Sequence, residues 1–391
     1  MTGPGVDAGR NPSRGVRLSR LTLTEFRNYS HLLWRPAAAI SVVTGPNGSG
    51  KTNLLEAVSL LVPGRGLRGA RTADLLRQGS GASGAWAVAG RFTTPHGDCD
   101  IGTGTPPDGP PDRRVFRLDG ATPRNQAEIA TRLAVVWLTP QMDRLFQEAA
   151  SGRRRFLDRL VFALEPGHAR EVAAFEAATA NRNRLLAEGR ADAAWLAGLE
   201  ASMARHAVAV SVARASLTRQ LNEALADGAA APFPAARMSL LCPIADQLAE
   251  TPALAVEDWL RAALASNRAA DAAAGGATIG AHRADMGLMD AASDLPAGLA
   301  STGQQKALLI GLILGHAALI SRARGFPPIL LLDEPAVHLD FPRRAALCAT
   351  LADLDAQVLI TGTDAALFAP LRENAEFLVC GGGNLVNSPP P

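Results

Sequence analysis

The chain has 391 residues, 47% of them hydrophobic, and its 39 Lys and Arg against 37 Asp and Glu leave a formal net charge of +2. That length accommodates about two to three domains with sizeable cores, and near-neutrality supplies no argument of its own for a nucleic-acid partner. The four cysteines, Cys99, Cys242, Cys348 and Cys380, match no metal-ligand spacing, so free thiols in a reducing cytoplasm are expected.

The first twenty residues are polar, contain Gly, Pro and Arg, and hold no apolar core, which argues against a secretory signal. Residues 1–17 are expected to form a disordered arm. Leu21-Thr22-Leu23-Thr24 alternates and leads through Glu25-Phe26-Arg27-Asn28-Tyr29 to Trp34, a pattern that reads as paired edge strands feeding an α/β core.

An apolar run, Ile40-Ser41-Val42-Val43, then meets Gly45-Pro46-Asn47-Gly48-Ser49-Gly50-Lys51-Thr52, a complete G-x-x-x-x-G-K-[ST] phosphate-binding loop, with helical Asn53-Leu54-Leu55-Glu56-Ala57 after it. Its glycines let the backbone wrap the phosphates of a nucleoside triphosphate. Lys51 would reach the β/γ-phosphates and the Thr52 hydroxyl would bind Mg²⁺. The chain carries 37 Arg and two Lys, Lys51 and Lys306. A compact ammonium suits a phosphate cradle where a planar guanidinium does not, whereas Lys306 reads as a surviving surface residue.

The charge is uneven. Residues 1 to 35 hold six Arg against two acids and residues 60 to 160 fifteen Arg against ten, while residues 321 to 391 hold five Arg against eight acids. An Arg-rich half of this kind reads as a phosphate-backbone surface for DNA or as solvated loops, and charge alone does not separate them. Between Arg91 and Leu118, Pro106, Pro107, Pro110 and Pro111 mark a loop between β-like pieces. From Gly152 to Ala274 the pattern is helical and alanine-rich, and Leu196, Leu199, Met203, Val210, Leu217 and Leu221 make an apolar stripe that predicts a packed bundle rather than a long arm. Ala270 to Gly276 reads as a linker, after which the α/β pattern resumes and runs to a disordered Pro-rich end. The longest apolar run, Ala307 to Ile320, is too short to span a membrane and contains His316.

Ile329-Leu330-Leu331-Leu332-Asp333-Glu334 is a Walker B pattern, a buried parallel strand ending at the nucleotide, where Asp333 can hold the Mg²⁺ shell and Glu334 can polarise the attacking water. Ser301-Thr302-Gly303-Gln304-Gln305 opens an apolar helix, so Ser301, Gly303 and the free helix N–H groups form a second anion site.

The ordered set of phosphate loop, Gln141 after Val135-Val136-Trp137-Leu138, Ser301-Thr302-Gly303-Gln304-Gln305, Asp333-Glu334 and Leu339-Asp340 resembles an ABC-type ATPase. The resemblance implies an α/β P-loop head with an inserted, mainly helical lobe: residues 18–150 and 276–391 as head and 151–275 as lobe. It also implies a catalytic and Mg²⁺-facing Q-loop role for Gln141, nucleotide contacts by Ser301, Gly303, Gln304 and Asp340, and an ATP-dependent head-to-tail homodimer whose signature serves the partner's γ-phosphate. Within that superfamily the chain is similar to the RecF family of recombination mediators. This closer likeness is carried by Leu23 to Tyr29, Gly152-Arg153-Arg154-Arg155-Phe156-Leu157-Asp158, Asn181 to Leu186, Gly280-Ala281-His282-Arg283, Ser301 to Ala307 and Thr361-Gly362-Thr363-Asp364. It implies ATP-dependent action on single-stranded and duplex DNA at gap junctions, with RecO and RecR as partners that help load RecA. Arg153, Arg154 and Arg155 are the candidate DNA contacts.

The switch position of ABC proteins, usually histidine, falls in Thr361-Gly362-Thr363-Asp364 and has no imidazole, which implies a slow ATPase with Thr363 as the γ-phosphate contact. A structural role is expected for His282. Two other classes share the nucleotide chemistry. A transporter ATPase subunit is disfavoured by the missing histidine and by the 248 residues between Thr52 and Ser301. A small-molecule kinase has no use for the signature.

Overall fold

The computed structural model describes residues 15–79, 84–95, 97–106, 108–189 and 192–391; residues 1–14 of the expected arm, and Pro107, lie outside the described residues. In chain order the elements are β1 (Arg17–Phe26), β2 (Tyr29–Trp34), β3 (Ile40–Thr44), α1 (Lys51–Ser59), β4 (Ala87–Thr94), β5 (Gly97–Gly104), β6 (Val115–Leu118), α2 (Gln126–Arg132) and β7 (Val135–Leu138). There follow α3 (Ala150–Leu164), α4 (His168–Glu188), α5 (Ala193–Ala226), β8 (Ala236–Leu241), α6 (Pro243–Glu250), α7 (Ala253–Ser266), α8 (Arg268–Ala274) and β9 (Asp285–Asp290). The last are α9 (Thr302–Arg324), β10 (Ile329–Leu332), α10 (Phe341–Asp353), β11 (Val358–Gly362), β12 (Ala375–Gly381) and β13 (Asn384–Ser388). They make two compact units, one of residues up to Val135 with Arg324–Leu332 and Leu351–Pro391, the other of Val136–Ala323 with Asp333–Thr350.

In the first unit an antiparallel sheet runs β2-β1-β4-β5-β6. Leu21, Leu23 and Phe26 are buried while Thr24 is exposed, the two-residue alternation of a half-covered strand. β1 is not an edge strand as its pattern predicts. β4 pairs along its second side with Leu23 opposite Val88, so of the two strands only β2 is an edge, the other edge of the sheet being β6. The other sheet has the order β13-β12-β3-β11-β10-β7. Every residue of β3, β10 and β11 is buried, which is why these strands read as unbroken apolar runs. β10, β11 and β3 are mutually parallel, so their carboxyl ends share one edge, where ligands of α/β sheets gather. β13 ends at Ser388, directly before the closing Pro389-Pro390-Pro391.

The second unit is mainly helical. Helix α5, 34 residues and so about 50 Å long, packs along α4 and α7. Leu196, Met203, Val210, Leu217 and Leu221 are buried, so the apolar stripe closes a bundle. β8 is a strand inside this segment, paired with β9 from Ala236 opposite Asp290 to Leu241 opposite Asp285. Its Met- and Leu-rich sequence suits a helix equally well, and only the distant partner decides.

The expected linker is instead α8, closed by Gly275 in the left-handed conformation (φ 73°). Asp271 on α8 is buried and accepts from Arg182 Nη1 at 2.7 Å, while Arg182 Nε donates to Glu200 at 3.0 Å. Of the Asn181 to Leu186 motif, Arg182 thereby belongs to a buried charge network. His282 also acts structurally, its Nε2 2.8 Å from Ala277 O and its ring stacked 5.7 Å from Phe175.

Helix α9 is long and apolar enough to cross a bilayer by length and composition, but 78% of its most apolar window is enclosed, and it is an interior helix. Burial pushes the His316 imidazole down to about 3, so it packs as a neutral group.

Candidate nucleotide-binding site

The phosphate loop leaves the carboxyl end of β3 and enters α1 with Gly50 as N-cap. Gly45, Gly48 and Gly50 have φ of 146°, 79° and 114°, a region only glycine occupies without strain. Two of them also lack room for a side chain. A Cβ on Gly45 would lie 2.5 Å from Cys380 O, and one on Gly50 2.3 Å from Asn28 Nδ2. Lys51 opens α1 with its ammonium folded over the loop, 2.8 Å from Gly45 O and 3.0 Å from Pro46 O.

Residues outside the motif hold this backbone. Asn28 donates from Nδ2 to Ser49 O at 3.0 Å and accepts from Asn53 Nδ2 at 2.7 Å; the Tyr29 hydroxyl donates to Gly50 O at 3.1 Å. Cys380 Sγ donates to Ser49 O at 3.3 Å. Burial, aided by Cys380, pushes the Tyr29 phenol well above its ordinary value, so it keeps the proton it donates. Arg27 forms a bidentate pair with the enclosed carboxylate of Glu56 on α1 at 2.8 and 2.9 Å. Arg27-Asn28-Tyr29 carries family likeness in the sequence but no readable role, and nothing local points to Cys380.

Register completes this half of the site. Gly362 of β11 and Val379 of β12 both pair with Thr44, so Thr363 and Cys380 flank Gly45. β10 ends on the same edge at Leu332, and Asp333 is the next residue. The cradle suits a phosphate chain: close-approach glycines, a helix amino terminus and one ammonium converge where side chains would clash. Gly50→Ala is expected to lose ATP binding and about 1–3 kcal/mol of stability, because alanine at this φ is strained wherever Asn28 moves. Isothermal titration and urea unfolding measure both, and unchanged affinity would refute it.

The second unit carries the other candidates. Gln141 is exposed on a 3-10 turn, Pro140–Arg144, directly after β7. Asp333 is buried, with its N–H donating to Leu138 O at 2.9 Å, and Glu334 has a left-handed φ of 49°. Asp340 accepts from Arg343 N at 2.9 Å and caps α10. Ser301 and Gln304 form a capping box: Gln304 Oε1 accepts from Ser301 N and Oγ, both at 3.0 Å, and leaves the amino end of α9 exposed. Gly303 packs so closely that a Cβ would lie 3.0 Å from His338 O. Lys306 is a correction. It is fully buried rather than on the surface, with its ammonium 3.0 Å from Asp143 Oδ1.

The arginine triplet divides. Arg153 pairs bidentately with Asp285 at 2.7 Å, Arg154 donates to Ala284 O at 2.8 Å, and Arg155 is exposed.

Residues 17–378 match the RecF/RecN/SMC N-terminal domain family. The chain is 47% identical over 374 residues to the DNA replication and repair protein RecF of Mesorhizobium japonicum, covering 95% of this chain and 97% of that one. It is 46% identical over 370 residues to the RecF of Allorhizobium ampelinum, covering 94% and 98%. Among solved structures it resembles the recombination mediator protein RecF with ATPrS, in the RecFOR pathway, at a TM-score of 0.83 and 20% identity over 95% of this chain and 98% of that one. An SMC head domain from Pyrococcus furiosus fits at a TM-score of 0.51 and 17% identity, covering 96% of each chain. The fold is thus the α/β head of ABC-type ATPases with an inserted helical lobe, and the chain belongs to the RecF family.

Proposed function

We propose that this chain is an ATP-dependent DNA-binding protein of recombinational repair and replication, which dimerises on ATP and works with RecO and RecR to load RecA at single-stranded gaps. The observation that carries the reading is the phosphate cradle, with Asn28, Tyr29 and Cys380 holding its backbone, in a chain of RecF kinship. Lys51 would bind the β/γ-phosphates, Thr52, Asp333 and Gln141 would hold Mg²⁺, and Thr363 would contact the γ-phosphate. Bound Mg²⁺ supplies neutralisation of phosphate charge. Glu334 orients and polarises water, and the missing switch imidazole makes turnover slow. Ser301, Gly303, Gln304 and Asp340 act on the nucleotide of a second copy. Leu299 and Phe341, 77% and 75% exposed beside the signature and Asp340, are apolar surface that a second copy would cover.

Size-exclusion chromatography with light scattering, with and without ATP and DNA, tests this. Wild type is expected to shift from monomer to dimer with ATP, and Glu334→Gln to accumulate the dimer because water is poorly activated. A Glu334→Gln chain that stays monomeric at saturating ATP refutes the sandwich.

For DNA, binding should be largely sequence-independent and fall about 10³- to 10⁵-fold between about 50 and 200 mM salt if about six to ten phosphates are contacted. Because Arg153 is committed to Asp285, Arg155 is the member of the triplet assigned to DNA, with other exposed arginines of the amino-terminal half. Arg155→Ala should lower the salt slope by about one, while Arg153→Ala should cost stability and leave the slope unchanged. The opposite pattern in fluorescence-anisotropy titrations would return Arg153 to the DNA surface.

A further inference from the structure

Asp143 lies at the meeting point of three segments of the second unit. It is the fourth residue of the Pro140–Arg144 turn that carries Gln141. Its carboxylate lies 3.0 and 3.1 Å from Lys306 Nζ, in the second turn of the signature helix α9, and 3.6 Å from His338 Nδ1, two residues before Asp340. His338 is itself in a left-handed conformation (φ 67°), and its carbonyl is the atom against which signature Gly303 packs. Thus the Gln141 turn, the signature helix and the Asp340 loop are joined through one carboxylate and one peptide.

The chemistry of the pair is unusual for this chain. Its only other lysine is Lys51, and 37 basic positions are arginine. A fully buried ammonium that meets both oxygens of one carboxylate fills a compact site, where a guanidinium would bring five donors and a wider plane. An ion pair in such surroundings is poorly explained by stability, since apolar residues of similar volume commonly do as well or better. In the 3-10 turn, Gln141 and Asp143 are two residues apart in a three-residue repeat, so their side chains leave in different directions. Gln141 is exposed and Asp143 faces α9.

We infer that Asp143 and Lys306 are a positioning pair that transmits the state of the Gln141 turn to Ser301 on the signature helix and to the loop before Asp340. A turn that shifts when Gln141 engages nucleotide carries Asp143 with it, and Lys306 makes α9 follow, while His338 keeps the Asp340 loop in step. The inference rests on the ATP-dependent dimer proposed above.

The test compares wild type, Lys306→Met, Asp143→Asn, the double variant and Asp143→Glu. Urea unfolding, ATP affinity, light scattering, turnover and hydrogen exchange over residues 299–306 with and without ATP are measured on each. The single variants leave one buried charge and should lose stability. The double variant removes both charges and should regain most of it, with ATP affinity of the monomer unchanged, yet its ATP-dependent dimer formation and turnover should fall about tenfold or more. Its 299–306 segment should also lose the exchange response to ATP. A stable double variant that assembles and turns over like wild type overturns the pair's role. If the double variant fails to fold, Asp143→Glu decides: it keeps both charges and shifts the turn by one methylene, so it should stay folded and assemble poorly, and wild-type assembly overturns the inference. A wild type that binds ATP without dimerising refutes the sandwich alone. The pair is then judged on exchange, where an equal response to ATP in wild type and double variant overturns it.

Discussion

Lys51→Ala is expected to abolish ATP-dependent dimerisation and lower nucleotide affinity about tenfold to hundredfold, the range set by losing one charge-assisted hydrogen bond to phosphate. The ammonium is already directed along the loop by Gly45 O and Pro46 O, so alanine removes the cation without disturbing the Asn28, Tyr29 and Cys380 contacts that hold the backbone. The variant should therefore fold normally, and affinity measured by titration isolates the charge. Ser301→Arg should behave in the opposite way, keeping nucleotide affinity in the monomer and blocking assembly. Mixing the two variants should rebuild at most one composite site, in which Ser301 of the Lys51→Ala chain meets the nucleotide held by Lys51 of the Ser301→Arg chain. Wild-type turnover by Lys51→Ala would remove the loop from the mechanism, and loss of monomer ATP binding in Ser301→Arg would mean that the signature acts within its own chain.

What could be read without coordinates was whatever depends on local backbone chemistry. Gly45 to Thr52 announces itself because only glycine accepts those φ values, and β3, β10 and β11 because strands covered on both faces must be continuously apolar. The clamp on the loop was invisible for the opposite reason. Cys380 reaches Ser49 across 331 positions, and a cysteine at that spacing carries no signal. Lys306 reads as a surface residue because charge normally lies outside; its burial follows from Asp143, 163 residues earlier. The α8 segment reads as a linker because alanine dominates it and Gly275-Gly276 follows, although Asp271 within it is a partner of Arg182.

Arg182→Met is expected to destabilise the helical lobe by about 3–5 kcal/mol, the cost of leaving buried charge without its partner. Arg182 Nη1 reaches Asp271 at 2.7 Å, Nε reaches Glu200 at 3.0 Å and Nη2 reaches Leu264 O at 2.7 Å, so its removal strips three acceptors on three helices. Glu200 keeps Arg268, 2.6 Å away, but Asp271 is left with only the Thr278 N–H and hydroxyl. Acid should shrink the difference. In the native chain burial raises the Asp271 pKa, but Thr278 and Arg182 outweigh it and hold the carboxyl below its ordinary 3.8. A carboxylate with a depressed folded-state value contributes stability in full above the unfolded value and loses it as pH falls through the folded one. Without Arg182 that folded value rises toward the unfolded one, so the site has less stability to lose to acid, and the gap between variant and wild type should narrow as pH falls below the unfolded value. Urea unfolding followed by circular dichroism at neutral pH and across acid measures both effects. A loss under about 1 kcal/mol at neutral pH, with a gap that does not change across acid, would mean that water or a neighbouring side chain replaces the guanidinium, and that the network is not what holds α4, α5 and α8 together.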